Sequence, residues 1–223
     1  MHAPGARPLT ERPSAGWGES RTAAPCRYPR LCSPDLAHRP TPGADTVIPT
    51  ESQLTDAVHR AARAAFLDLF REHPGHRFYY CVLVTSGEAY GPALSAWSEQ
   101  ALAQEAARQG CAPTDIKWSY ADSPFCCYGE RHLEPVRPLF AARGELFEMP
   151  DDEADAEFDL RLRAMETAMA RLDAEGVFGT GAARHAVVVN VEVPSEGGDE
   201  ERALRLNPPE ALTEWLAEAA DAA

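Results

Sequence analysis

The chain has 223 residues, 44% of them hydrophobic and 25% charged, and a formal net charge of −14. That is apolar material enough for one domain of ordinary size, and not the composition of a fibrous chain. The charge is uneven: residues 1–46 hold six arginines against Glu11, Glu19, Asp35 and Asp45, a net +2, which leaves −16 on residues 47–223. So acidic a domain repels phosphate backbones, which argues against nucleic acid as a partner. The longest apolar run falls far short of the roughly 20 residues of a membrane span, which argues against a membrane protein.

Residues 1–46 contain eight prolines and almost no periodic apolar positions. Such a segment buries too little to offset its ordering entropy and is expected to be a disordered tail, or an artefact of start-site choice with translation beginning near Val47. The prolines argue against an amphipathic transit helix, and no signal-peptide core follows the start. Residues 47–223 are expected to form a single α+β domain.

Thr50-x-x-Gln53 has capping-box spacing, and Leu54, Val58, Ala61, Ala65 and Leu69 recur at helical intervals up to Pro74-Gly75. Phe78 to Thr85 is a continuous β-prone run, read as a strand buried on both faces. Ser86-Gly87 reads as a hairpin turn into a second strand from Glu88 to about Leu94. Ser95 can cap a helix over 96–109 that Gly110 ends. Ile116, Trp118 and Tyr120 alternate with Lys117 and Ser119, which predicts a third strand. After an irregular stretch and a short helix over 131–142, the acids from Asp151 to Glu157 open a long helix. Phe158, Leu162, Met165, Met169 and Leu172 form its stripe, and Gly176 its cap. Val187 to Val193 is a fourth strand, 194–202 a polar loop, and Asn207 the cap of a last helix with Pro208 and Glu210 in its first turn. The fold expected is a mostly antiparallel sheet of about four strands flanked by helices.

Catalytic and metal motifs are wanting. Gly176-Val-Phe-Gly179-Thr-Gly181 has neither phosphate-loop spacing and runs from helix to strand, the reverse of a phosphate loop, so it reads as a cap and tight turn that Phe178 anchors. Glu130-Arg131-His132 is tied to no nucleophile motif. His73, His76 and His185 make no H-x-x-x-H pair, and the six cysteines make no CxxC. Cys126 and Cys127 are adjacent, poorly placed for a mutual disulfide or for one metal. No cofactor, nucleotide or metal is expected, and the cysteine usage fits a reduced, cytoplasmic protein.

The best binding candidates are Trp118, Tyr120 and Asp122, one face of the expected third strand. Arg184 and Asn190 border the fourth strand and complete that surface if the two strands lie close.

The opening helix, FYYCVLVTSGEAYGP (78–92), KWSYAD (117–122), LDAEGVFGTGAARHAVVVNV (172–191) and RLNP (205–208) together resemble the family catalogued as domain of unknown function 4303, over roughly residues 50–220. The resemblance implies a small bacterial-type α+β domain with no assigned activity, and carries no catalytic residues. The function expected is a non-enzymatic domain that binds a basic protein partner, with an immunity-type inhibitor as one version. The alternative is a small-ligand binder or small enzyme using the Trp118, Tyr120 and Asp122 neighbourhood. A deep polar-lined pocket would favour the alternative, and a flat acidic face the first reading.

Overall fold

Three strands and seven α-helices form in the computed structural model, which describes residues 47–194 and 197–219. The expected tail, residues 1–46, lies outside the described residues. Helix α1, Glu51–Glu72, starts as its sequence dictates. The Thr50 hydroxyl accepts from the Gln53 amide at 3.3 Å, and the Gln53 side chain accepts from the Thr50 amide at 2.8 Å. Two otherwise orphan donors are thereby satisfied. Its buried stripe of Leu54, Val58, Ala62, Phe66 and Leu69 lies in the core.

Strand β1, Phe78–Val84, is the central strand, as its unbroken apolar run requires. Strand β2, Ala93–Ser98, pairs with it antiparallel, and strand β3, Val188–Glu192, pairs with it parallel. The sheet is therefore mixed and three-stranded, not mostly antiparallel and four-stranded.

The expected third strand is absent because residues 113–120 coil. A 3-10 turn over Pro113–Asp115 continues into turns in which Ile116 donates to the Pro113 carbonyl and Ser119 to the Ile116 carbonyl. The carbonyls of Lys117, Ser119 and Tyr120 accept from the side chains of Tyr79, Trp97 and Ser95. This segment thus lies across the sheet, bound by side chains instead of a backbone ladder.

The connection after β1 is also longer than a hairpin. It runs through Ala89, at φ +48°, to Pro92, so β2 begins five residues later than expected. Ser95 is consequently a strand residue, and Ser98 caps helix α2, Glu99–Gln109, which Gly110 closes at φ +70°. The short helix expected over 131–142 is broken into α3, Glu130–Leu133, a 3-10 turn and α4, Arg137–Ala141. Pro135 and Pro138 cannot donate to a continuous ladder.

Helix α5, Asp151–Ala174, packs along α1 and buries Leu162, Met165, Met169 and Leu172. It ends in a Schellman motif: Gly176, at φ +77°, donates to the Asp173 carbonyl at 2.8 Å and Val177 to that of Leu172 at 3.0 Å. Phe178 anchors the turn, edge-on to Phe66 with ring centroids 5.0 Å apart. Part of the expected 194–202 loop is helix α6, Asp199–Leu206, and α7, Pro209–Ala219, follows.

Candidate functional site

The turn at 116–122 is the first of four places where unusual side chains gather. Trp118 packs edge-on to Tyr79 and Tyr80, with centroids 5.3 and 5.4 Å away. Its indole donates to Glu218 of α7 at 2.8 Å, and Lys117 Nζ lies 4.9 Å from the ring centroid. The indole hydrogen bond, then Lys117, holds the Glu218 carboxyl below its ordinary range. Tyr120 and Asp122 follow on the same turn, both half-buried. The Asp122 amide donates to Ser119 Oγ at 3.4 Å.

Arg184 and Asn190 lie in a second, buried network at the outer edge of β3. Arg184 donates to Asp173, to the Val187 carbonyl at 2.5 Å and to the Leu206 carbonyl at 3.0 Å. Asn190 reaches the Asp199 carbonyl at 3.1 Å. Asn207 completes this network. Its amide accepts from Val189 N at 2.8 Å and donates to Val189 O at 2.6 Å, pairing with β3 as a neighbouring strand would. It is thus an edge cover, and α7 starts one proline later than a cap at Asn207 requires. The structure brings Trp118, Tyr120 and Asp122 together and places Arg184 and Asn190 in this separate scaffold.

Beside that scaffold sits a buried acid. Glu192, the last residue of β3, accepts from the Tyr80 hydroxyl. Burial above all, then the charge of Asp199, pushes its carboxyl up to about 8, against the pull of Arg202. At neutral pH it is mostly a neutral acid. Its sequence signal was one carboxylate inside an apolar strand.

At the opposite end of β1 an open cleft of about 350 Å³ is lined by Phe70, His73, His76, Phe78 and Phe178, with Cys81 also on its wall. The His73 and His76 ring centroids are 5.0 Å apart, and His76 Nδ1 is 2.8 Å from Ser98 Oγ. Desolvation, then His73, lowers the His76 pKa. Burial raises that of the Cys81 thiol, which keeps it protonated. Elsewhere His132 and Arg131 both contact Asp68 at 2.8 Å, and the His132 hydrogen bond leads in holding that carboxyl at about 2. The pairing fits a structural cluster centred on the Asp68 carboxylate, with His132 as one of its hydrogen-bond partners. Among the described residues no group of three or more His, Cys, Asp or Glu side chains is arranged to hold a metal ion.

The fourth place is the segment that leads from Phe147 into the first turns of α5. In the 3-10 turn Leu146–Glu148, Leu146 is buried, so its neighbour Phe147 is turned outward and is 73% exposed. Just beyond, Asp151, Asp152, Glu153 and Asp155 are exposed on or next to the first turn of α5. Among the described residues none of these four is in a salt bridge, whereas Glu157, Glu166 and Asp173 of the same helix are paired with arginines. The signal was present in the sequence: no Lys or Arg stands three or four positions after any of the four.

A family model described as Domain of unknown function (DUF4303) matches residues 58–208, more than half of the chain. No curated protein and no solved structure matches it. Among the described residues no helix is long and apolar enough to cross a membrane.

Proposed function

The chain belongs to the DUF4303 family, and we propose that it is a protein-interaction module whose contact surface is the acidic face around Phe147. The observation that carries this reading is a phenyl ring 73% exposed, followed in sequence by four exposed acids that form no salt bridge among the described residues. An aromatic anchor rimmed by like charge is the make-up of an interaction patch, in which the ring supplies buried area and the rim supplies steering. The partner that fits presents an apolar recess ringed by Lys and Arg. Inhibition of a basic enzyme, the immunity-type version, is one concrete form, and a cytoplasmic setting goes with it.

Capture from lysate at low salt, run with the full chain and with Phe147→Ala and Asp152→Lys/Asp155→Lys variants, tests this. A partner held by the wild type and lost from both variants is expected, with an on-rate that falls as salt rises and the Debye length shrinks to about 8 Å. A partner retained equally by all three, or an on-rate indifferent to salt, refutes the reading.

Small-ligand binding is the second reading. What supports it is the open cleft of about 350 Å³, lined by aromatic and imidazole rings. The turn of Trp118, Tyr120 and Asp122 is its other proposed seat. A small molecule that raises the melting temperature, with the shift abolished by His73→Ala or by Trp118→Ala, would say which of the two is occupied.

A further inference from the structure

Cys126 and Cys127 lie in the run of turns before Gly129, with their Sγ atoms 3.9 Å apart. In an extended chain neighbouring side chains point to opposite sides, which is why adjacent cysteines are expected to be poorly placed for a mutual bond. Here the backbone turns between them. Cys127 has φ +59°, one of two non-glycine residues in the left-handed region among the described residues. That conformation is disfavoured for a side chain with a Cβ, and it is what brings both thiols to one side. Cys126 is buried and Cys127 half-buried, so Cys127 is the more accessible residue of the pair.

We propose that Cys126 and Cys127 are an oxidation site, a vicinal dithiol that a hydroperoxide closes to a disulfide and thiols reopen. The Cys127 thiolate attacks one peroxide oxygen. The O–O bond breaks, the departing oxygen takes up a proton, and Cys127 becomes a sulfenic acid. The Cys126 sulfur, giving up its proton, then attacks the Cys127 sulfur. The S–O bond breaks, water leaves and the S–S bond forms, so two electrons pass from the pair to the peroxide. The order of attack follows from exposure, and also from acidity: the hydrogen bond from Cys126 lowers the Cys127 pKa, with Arg137 acting in the same sense against burial and Glu130. Adjacent Cα atoms are about 3.8 Å apart, below the roughly 4.4 Å at which ordinary disulfides begin, so the ring is strained and readily reduced. The bond is a reversible modification. It acts beside the cleft, because the neighbouring Phe125 ring lies 4.7 Å from that of His73 and 5.6 Å from that of Phe78.

The test treats the full chain with hydrogen peroxide, blocks remaining thiols with maleimide under denaturing conditions and digests with trypsin. Cleavage after Lys117 and Arg131 releases Trp118–Arg131, which contains both of these cysteines and no other. That peptide is expected two hydrogens lighter and unlabelled, and to take two labels after dithiothreitol. Two labels at a peroxide dose that oxidises Cys111, in the separate peptide Gln109–Lys117, would overturn the proposal. So would sulfinic acid at Cys127 without the disulfide, or a cross-link to another peptide. In Cys126→Ser the sulfenic acid on Cys127 has no resolving thiol, and dimedone should trap it. No dimedone adduct would overturn the assignment of Cys127 as the attacking sulfur.

Discussion

Glu192 should make the domain lose stability as pH rises through neutrality. Its carboxyl titrates at about 8 when folded, against an ordinary 4.5. Below the unfolded value it is protonated in both states and carries no penalty. Between the two values only the unfolded state releases the proton, so stability falls with pH, and above the folded value the loss is complete. Each pKa unit corresponds to about 1.4 kcal/mol, so the slope is of order 1 kcal/mol per pH unit and the total several kcal/mol. Asp199 opposes ionisation alongside burial, and Arg202 favours it.

Glu192→Gln is the perturbation that isolates the effect. Glutamine keeps an acceptor for the Tyr80 hydroxyl and has no proton to lose. Urea titrations of both proteins between about pH 5 and about pH 9 give the two stability curves. The wild type should decline relative to the variant across that window and level off beyond it. His76, whose pKa is lowered, works in the opposite sense below its ordinary value, which is why the difference between the two curves is the readout. Parallel curves would mean that Glu192 is ionised in the folded protein and that water or a rearranged Arg202 reaches it.

Gly176→Val should cost about 1–2 kcal/mol, since a β-branched residue is strained at φ +77° and its Cβ would meet Thr180 Cγ2 at 3.2 Å. At about 2–4 °C per kcal/mol for a domain of this size, the melting temperature should drop by several degrees, and no drop would refute the cap. Arg161→Leu should cost about 2–3 kcal/mol, because the fully buried guanidinium donates to the Glu88 and Gly144 carbonyls at 3.2 and 2.6 Å. Chemical denaturation checks this, and a neutral result would mean that water takes over both carbonyls. Phe147→Ala should leave the melting temperature unchanged within a degree or so, as expected of an exposed ring.

The parts of the fold legible in the sequence are those that local chemistry determines. The capping box at Thr50, the stripe from Leu162 to Leu172 and the glycine after α5 each settle their own backbone. What the sequence misplaces depends on distant partners. Ser95 reads as a cap, and it is its pairing with Val82 that makes it a strand residue and leaves the capping to Ser98. Trp118 and Tyr120 alternate as in a strand, yet the carbonyls of Lys117, Ser119 and Tyr120 are met by side chains of Tyr79, Trp97 and Ser95 from elsewhere in the chain. Helix α6 reads as a polar loop because its buried side includes an arginine, Arg202, whose guanidinium bonds the Val191 carbonyl at 2.7 Å. Asn207 is visible as a helix-boundary residue, but its use as a cover for the β3 edge is not, since that requires β3 to lie beside it. The exposure of Phe147 follows from the burial of Leu146, a tertiary fact.

The acidic face also poses a question that stability measurements can divide. A helix N-terminus favours one or two acids in its first turn, by about 0.3–1 kcal/mol each, and Asp151 and Asp152 fit that role without any partner. Asp155 lies beyond the first turn, so the dipole gives it little. If the acids serve only the helix, Asp151→Ala should lower stability by some tenths of a kcal/mol, Asp155→Ala should be neutral, and neither should change association with a captured partner. If the face is a contact surface, both substitutions should slow association by similar factors at low salt, whatever they do to stability, because steering depends on charge and not on helix position. Stability and on-rate measured on the same two variants therefore separate the two origins of the charge. An on-rate affected only by the variant that also loses stability would leave the acids as helix determinants and remove the rim from the proposed interface.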